Sequence, residues 1–157
     1  MNKASAIIGS GNALAATSTE VVCEEIYVRP NLHALTQLDL RGNTFGADGA
    51  KMLCKLIPKL TYLAHLSLAE CSIPDAEWAL VSHALCETTR MHTLDVSTCR
   101  LGYQKQAPCV QIARLLSELG GQLHCLKLGG NFFGYAGFEA LAVCSLFRRQ
   151  IESKHAK

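Results

Sequence analysis

Apolar residues recur along the chain in an eleven-residue pattern, apolar-x-x-apolar-x-apolar-x-x-(Asn or Cys)-x-apolar. Four windows carry this pattern, and their first, fourth, sixth and eleventh positions are apolar without exception. The ninth position, which we name the ladder position, recurs at intervals of 28, 28 and 32 residues. Self-similarity at such a period indicates a repeat architecture. The windows are residues 35–45, 63–73, 91–101 and 123–133, with Asn43, Cys71, Cys99 and Asn131 at the ladder position.

Each window predicts a β-strand, because its apolar residues alternate with polar ones. In the first window, Leu38 and Leu40 point to one side of the strand, while Gln37, Asp39 and Arg41 point to the other. We expect the apolar side to enter the core and neighbouring strands to pair in parallel. After each window, apolar residues return at helical spacing and predict an amphipathic helix. These helical stripes are Leu53, Leu56, Ile57 and Leu60; Trp78, Val81 and Leu85; Ile112, Leu115, Leu116 and Leu119; and Phe138, Leu141, Ala142 and Leu146.

Single residues refine these predicted helices. Pro58 lies inside the first stripe and predicts a kink or an early end to that helix. Gly49 and Gly137 each follow a ladder asparagine by six residues, where we expect the backbone to turn tightly into the helix. Trp78 is predicted to be a core residue, as aromatic residues in a helical stripe usually are. The third repeat has four extra residues, which we assign to a longer surface loop near residues 102–108.

The ladder position predicts a structural role. The chain turns after each strand through a loop whose backbone groups are partly buried and need hydrogen-bond partners. The side-chain amides of Asn43 and Asn131 can both donate and accept in that place. Cys71 and Cys99 fit the same space but bond weakly, so we expect a softer ladder in the middle repeats.

A weaker copy of the pattern precedes the first window and makes Asn12 a fifth ladder residue. Ala4, Ile7, Gly9 and Leu14 fill its other slots. The chain is therefore predicted to be one domain over residues 1–157. Its repeats are a degenerate copy over 4–34, then 35–62, 63–90, 91–122 and 123–150, followed by a polar tail over 151–157.

The run LTQLDLRGNTFGADGA over residues 35–50 resembles the repeat of the ribonuclease-inhibitor-like class of leucine-rich repeat proteins, and so does residues 123–138. That class also includes the Ran GTPase-activating protein and the sensor regions of NOD-like receptors. The resemblance covers about residues 4–150. It implies an α/β solenoid, a short right-handed arc of about five strand-loop-helix repeats, with a parallel sheet on the concave side and helices on the convex side.

An ordinary α/β domain of alternating strands and helices is the alternative, but it does not explain the recurring ladder residue. The poor first repeat leads us to expect one of two things. Either the chain is a fragment of a longer protein, or a partner covers the open edge of the first strand.

Composition narrows the function classes. The net charge of +2 gives no indication of a nucleic-acid partner, and the sequence lacks an apolar run long enough to span a membrane. No two of the eight cysteines lie closer than ten residues, so no zinc spacing occurs, and we expect neither a metal nor a cofactor. Free cysteines in apolar stripes favour a reducing compartment. Residues 9–12 interrupt what would be a signal sequence, so we predict a cytoplasmic protein.

The outward-facing strand residues form columns across the predicted sheet. His65, Thr93 and Cys125 share one column, while Asp95 and Lys127 lie on adjacent strands and can pair. In the degenerate repeat, Ala6 is expected opposite Gln37 and Ile8 opposite Asp39. Phe132 follows the last ladder residue, where it is either a binding hot spot beside Tyr135 or a cover for the open end of its own repeat. The candidate partner-binding residues are Gln37, Asp39, Arg41, His65, Ser67, Thr93, Asp95, Lys127, Phe132 and Tyr135.

No spacing of nucleophile, base or metal ligand indicates catalysis. Asp75, His83 and Cys86 fall in one helical region, where a polar helix flank is the expected explanation. We therefore predict a non-catalytic module that binds a protein of unknown identity, as an adaptor or subunit of a larger assembly, without a small-molecule substrate. Fold analogy leaves two alternatives open, a regulator of a small GTPase and a substrate receptor of a ubiquitin ligase.

Overall fold

The computed structural model describes residues 4–7, 32–102, 107–135, 137, 139 and 141–142. Five parallel strands form one sheet in the order β1-β2-β3-β4-β5. Within these described residues, three helices and three single 3₁₀ turns connect the strands, and helical backbone recurs among residues 134–142 after β5. The strands are β1 (Ala4–Ile7), β2 (Leu35–Asp39), β3 (His65–Ser67), β4 (Thr93–Asp95) and β5 (Cys125–Lys127); the helices are α1 (Ala47–Leu56), α2 (Asp75–Cys86) and α3 (Ala107–Leu119); the 3₁₀ turns are Leu32–Ala34, Ile57–Lys59 and Gly120–Gln122.

The alternation of strand and helix confirms the α/β repeat fold predicted from the apolar pattern. Each of β2 to β5 falls within the first five positions of its window. The same backbone hydrogen bond recurs between successive repeats. The amide of Leu40 donates to the carbonyl oxygen of Ser67, that of Leu68 to Asp95, and that of Val96 to Lys127. These final bonds extend the pairing beyond the short strands. Equivalent residues therefore lie side by side across the sheet.

The sheet register matches the predicted columns from β2 to β5. Direct neighbours across the sheet form one row of Gln37, His65, Thr93 and Cys125. The residues two positions further along each strand form a second row of direct neighbours. That second row consists of Asp39, Ser67, Asp95 and Lys127.

The register of β1 differs from the prediction. Ala4 pairs with Leu35 as the pattern requires, but the pairing shifts by one residue immediately afterwards. Ala6 therefore lies opposite Leu38 rather than Gln37, and Ile7 takes the place opposite Asp39 that was assigned to Ile8. A bulge of one residue has this effect because strand residues alternate with a period of two.

The core lies between the sheet and the helices. Leu38, Leu66 and Leu94, at the fourth position of their windows, stack in neighbouring strands and are almost fully buried. Burial of a leucine side chain contributes about 1.5–3 kcal/mol, so the repeated pattern itself supplies much of the driving force for folding. Trp78 is completely buried, as predicted, and its indole nitrogen has no hydrogen-bond partner among the described residues. The described members of the helical stripes are also buried, apart from the half-buried Leu116 and the exposed Ala142.

Two prolines lie near helix ends, and the prediction was right for one of them and wrong for the other. Helix α1 ends at Leu56 and continues as a 3₁₀ turn that contains Pro58, which confirms the predicted early end. Pro108 is buried in the first turn of α3 and does not belong to a surface loop. Proline fits that position because the first helical amides lack an intrahelical acceptor in any case.

The two glycines assigned to tight turns have another role. Gly49 is buried inside the first turn of α1, and Gly137 also has helical backbone. A Cβ atom on Gly137 would lie 2.5 Å from the Cys109 sulfur and 2.8 Å from the Phe133 Cβ. Close packing, rather than a positive backbone angle, therefore requires glycine at this position.

Several predictions concern residues outside those the structure describes. They include Asn12, most of the degenerate repeat, the inserted residues 103–106 and the tail over 151–157. Among the described residues, none of the helices combines the length and the apolar character needed to cross a membrane.

Candidate protein-binding face

Eight of the ten candidate partner-binding residues lie together on the side of the sheet that faces away from the helices. They line one groove of about 340 Å³, together with Leu38 and Leu66. Phe132 and Tyr135 are not part of this groove. They follow β5, and their exposed fractions are 52% and 85%. The groove residues are Gln37, Asp39, Arg41, His65, Ser67, Thr93, Asp95 and Lys127.

A row of polar and charged side chains crosses the groove. Asp39, Ser67, Asp95 and Lys127 occupy equivalent places on β2 to β5. Adjacent strands lie about 4.8 Å apart, so the two aspartates are separated by about 10 Å, with the small Ser67 side chain between them.

The Asp39 carboxylate is held by its own strand. It accepts hydrogen bonds from the Arg41 backbone amide at 3.1 Å and from the Arg41 guanidinium, whose Nε lies 2.8 Å from Oδ2. The hydrogen bonds from the Arg41 side chain are the main reason that the pKa of Asp39 lies below its usual range, and burial opposes them. Asp39 is therefore a stable anion at neutral pH.

The Asp95 carboxylate is held by a neighbouring strand as well. Burial raises the pKa of Asp95, but hydrogen bonds from the backbone and hydroxyl of Ser97, together with Lys127, outweigh burial and lower that pKa overall. The Ser97 hydroxyl lies 2.6 Å from Oδ1, and Lys127 Nζ lies 3.1 Å from Oδ2. The pairing of Asp95 with Lys127 across adjacent strands confirms the sequence prediction.

The anions and cations of these pairs differ in exposure. The side chains of Asp39 and Asp95 are only 20% and 15% exposed, whereas those of Arg41 and Lys127 are 55% and 59% exposed. The carboxylates therefore form the floor of the groove, and the cations rise beside it.

A row of three imidazoles begins at the groove residue His65, and its other two members were not predicted. The ring centroids of His65 and His92 lie 6.3 Å apart, and those of His92 and His124 lie 5.0 Å apart in a stacked arrangement. His92 and His124 both occupy the second position of their windows, so reading that column would have found the pair. Within the described part of the chain, three His, Cys, Asp or Glu side chains nowhere gather closely enough to hold a metal ion.

The ladder residues link one repeat to the one before it. The Cys71 thiol donates to the carbonyl oxygen of Leu40, and Asn131 Nδ2 donates to that of Val96 at 2.8 Å. Asn43 Nδ2 lies 2.7 Å from the Leu40 oxygen of its own repeat. Cys99 makes the same contact to Leu68 as Cys71 makes to Leu40. The acceptors of Cys71, Cys99 and Asn131 are equivalent carbonyl groups, all at the sixth position of the preceding window.

The turn before each ladder residue has a conformation that the sequence did not indicate. Glu70 and Thr98 have positive φ angles of 58° and 55°, and Gly42 and Gly130 have 73° and 71°. All four residues directly precede a ladder residue. The left-handed backbone conformation there is a property of the repeat, which glycine satisfies at little cost and other residues accept with strain.

The other polar residues singled out from the sequence do not form a second site. Asp75 Oδ1 accepts a long hydrogen bond of 3.4 Å from the Gly102 amide, at the beginning of α2. His83 and Cys86 lie further along α2, where they line a shallow groove against α3. The structure therefore separates Asp75 from the other two residues.

Comparison with known families agrees with this architecture. A family model described as Leucine Rich repeat matches residues 31–54, which include the first complete window and most of α1. The match supports a leucine-rich repeat protein, a class that is typically non-catalytic and generally mediates protein–protein interaction. No curated protein matches the chain.

Proposed function

We propose that this chain is a non-catalytic protein-interaction module, an adaptor or subunit of a larger assembly, that binds a protein partner through the groove face and the loop that carries Phe132. The observation that carries the proposal is the groove itself. Charged and polar side chains from four successive strands converge on one open surface, where regular secondary structure holds them in fixed register. Sites on strands are positioned more rigidly than sites on loops.

The area available supports a binding surface that extends beyond the groove. A stable protein interface buries about 800 Å² on each partner, more than four short strands offer. Phe132 and Tyr135 add exposed aromatic surface beyond β5. Aromatic residues are the most frequent hot spots of such interfaces.

The proposal includes the shape and the setting of the module. The parallel order of the strands and the repeated inter-repeat hydrogen bonds support a short solenoid of the ribonuclease-inhibitor-like class, with the groove on its concave side. The six described cysteines are free thiols, two of them in the ladder, which supports a reducing compartment such as the cytoplasm.

The test compares variants of the affinity-tagged protein. Partners captured by the unmodified protein are identified by mass spectrometry, purified and titrated against each variant by calorimetry. Asp95→Ala and Phe132→Ala should each weaken binding about tenfold or more, the usual effect of removing a hot-spot side chain. Arg114→Ala and Leu80→Ala are the matched controls, because both side chains are exposed on the helical side of the molecule.

The controls decide between the two faces of the repeat. Leu80 and Phe132 have nearly the same exposed fraction, 53% and 52%, so the two truncations remove comparable apolar surface. A loss of affinity with Leu80→Ala but not with Phe132→Ala would assign binding to the helical side and overturn the proposal. His65→Ala and Asp39→Ala extend the test across the groove.

A further inference from the structure

The order of charges across the groove defines the chemistry of a complementary partner. From β2 to β5 the row reads Asp39, Ser67, Asp95 and Lys127, and Arg41, two residues beyond Asp39 on the same segment, adds a cation at the β2 end. The two cations, Arg41 and Lys127, are more exposed than the two carboxylates, Asp39 and Asp95. With Arg41 included, the net charge of these residues is zero, so the pattern rather than the total charge selects a ligand.

We propose that the groove binds an extended protein segment of the sequence type acidic–x–basic–x–acidic, which runs across the strands with its basic side chain inserted above Ser67. This inference rests on the proposed function and names the chemistry of the partner. The basic side chain meets Asp39 and Asp95, while the two acidic side chains meet Arg41 and Lys127. A uniformly acidic or uniformly basic ligand would place like charges together at some point in the row.

The spacing supports this arrangement. Arg41 lies just beyond the end of β2 and Lys127 lies on β5, and these two strands are three strand intervals, or about 14 Å, apart. An extended peptide advances about 3.3 Å per residue, so residues i and i+4 span about 13 Å. Residue i+2 then lies above the middle of the row. Its side chain is close to both carboxylates, each about 5 Å from Ser67.

The recession of the carboxylates decides which ligand side chain fits. Because Asp39 and Asp95 are far less exposed than their cations, only a long and thin side chain can reach them. Lysine and arginine have such an apolar stem with a charged end. Ser67 leaves the necessary space, since the groove holds about 340 Å³. Asp95 also retains acceptor capacity for a further donor, because a carboxylate can accept about four hydrogen bonds and Asp95 accepts three, from the Ser97 amide, the Ser97 hydroxyl and Lys127.

The direct test is a titration of the isotope-labelled full chain with synthetic peptides, followed by nuclear magnetic resonance. The peptide Ala-Glu-Ala-Lys-Ala-Glu-Ala, blocked at both ends, should shift the amide signals around Ser67 and Asp95 with a dissociation constant below about 1 mM. Replacement of its lysine by glutamine should weaken binding at least about tenfold, the effect of one lost charge-assisted hydrogen bond. Two further peptides, all-glutamate at the three charged positions and lysine-glutamate-lysine, should bind more weakly than the first.

Variants of the protein provide the second arm. Ser67→Lys places a cation between the two carboxylates and should abolish peptide binding. Ser72→Lys makes the same change on an exposed loop outside the groove and should leave binding intact. If Ser67→Lys does not fold, Asp95→Asn serves in its place. That change should weaken binding of the lysine peptide but not of its glutamine analogue.

Two results would overturn the charge pattern. One is equal or tighter binding of the all-glutamate or lysine-glutamate-lysine peptide. The other is the lack of any signal change in the groove at about 1 mM of the first peptide. If a purified partner still loses affinity with Asp95→Ala and Phe132→Ala, the interaction function stands and only the proposed ligand sequence is wrong. If both experiments fail, the proposed function fails as well.

Discussion

The Cys99 thiol donates a hydrogen bond of 2.8 Å to the carbonyl oxygen of Leu68, which lies one repeat earlier in the sheet. Asn131 makes the equivalent contact one repeat later, and its Oδ1 also accepts from the backbone amides of Cys99 and Leu101 at 3.0 and 3.1 Å. Cysteine therefore fulfils half of the asparagine role. It satisfies a carbonyl group but offers no comparable acceptor for backbone amides.

This difference predicts unequal costs of truncation. Asn131→Ala should lower the free energy of unfolding by about 2 kcal/mol, because two backbone amides and two carbonyl groups lose their partner. Cys99→Ala should cost about 1 kcal/mol, mainly for a small cavity and one weak hydrogen bond. Urea denaturation of both variants measures the two values. A larger loss for Cys99→Ala would show that packing, rather than hydrogen bonding, dominates at the ladder position.

Alkaline pH should destabilise the ladder. Burial raises the pKa of Cys71 to about 12 and that of Cys99 to about 11. Because the folded state favours the protonated thiol, this part of the stability is fully present below the ordinary thiol pKa and is lost as pH rises through the folded values. Urea denaturation should give a lower free energy of unfolding at about pH 10.5 than at about pH 8. A Cys71→Ala/Cys99→Ala double variant should show a smaller decrease, and an equal decrease would exclude these thiols as the cause.

The left-handed position before the ladder predicts opposite effects of two substitutions. Glu70→Gly relieves a positive φ angle of 58° and should stabilise the fold by up to about 1 kcal/mol, after the entropic cost of glycine in the unfolded chain. Gly130→Ala introduces that strain and places a Cβ atom 2.7 Å from the Thr98 hydroxyl oxygen, so it should destabilise by about 1–2 kcal/mol. Thermal unfolding monitored by circular dichroism measures both. A loss of stability in Glu70→Gly would mean that its side chain contributes more than the strain costs.

Close packing around the helical residue Gly137 predicts a further contrast between glycines. Gly137→Ala should destabilise by about 1–3 kcal/mol, because its Cβ would overlap the Cys109 sulfur and the Phe133 side chain. Gly46→Ala is the control, since a Cβ there meets nothing within 4 Å. Denaturation midpoints should separate the two variants clearly. Equal midpoints would show that the contact between Gly137 and Cys109 can relax.

The fold was predicted best where the apolar pattern of the windows repeats most regularly. Where four windows agreed, the strands β2 to β5 and their register matched the prediction, as did the described members of the helical stripes apart from Leu116 and Ala142. The register of β1 failed after Ala4, because a single poor copy of the pattern cannot reveal a shift of one residue. Pro108 and Gly137 were also misassigned. The usual preferences of proline and glycine concern local backbone conformation. The role of Pro108 depends instead on where α3 begins, and that of Gly137 depends on its contact with the Cys109 sulfur.

The sequence predicted which site residues lie in the same column across the sheet, but not which side chains are in contact. Strand alternation placed Asp39 and Asp95 on the same face as their cations. It did not show that Arg41 folds back onto Asp39 within its own strand while Lys127 reaches across to Asp95. The stacked His92 and His124 were missed because they lie at a position of the window where the pattern specifies no residue type.

The sequence alone determined which residues face the core and which residues line up across the sheet, because both follow from the period of two within a strand and the period of about 28 between repeats. Tertiary structure alone decided the depth of each charge, with carboxylates recessed and cations raised. It also decided the left-handed turns and the glycine contact at Cys109. These features depend on distances between segments far apart in the chain, which the spacing of residues along one repeat does not encode.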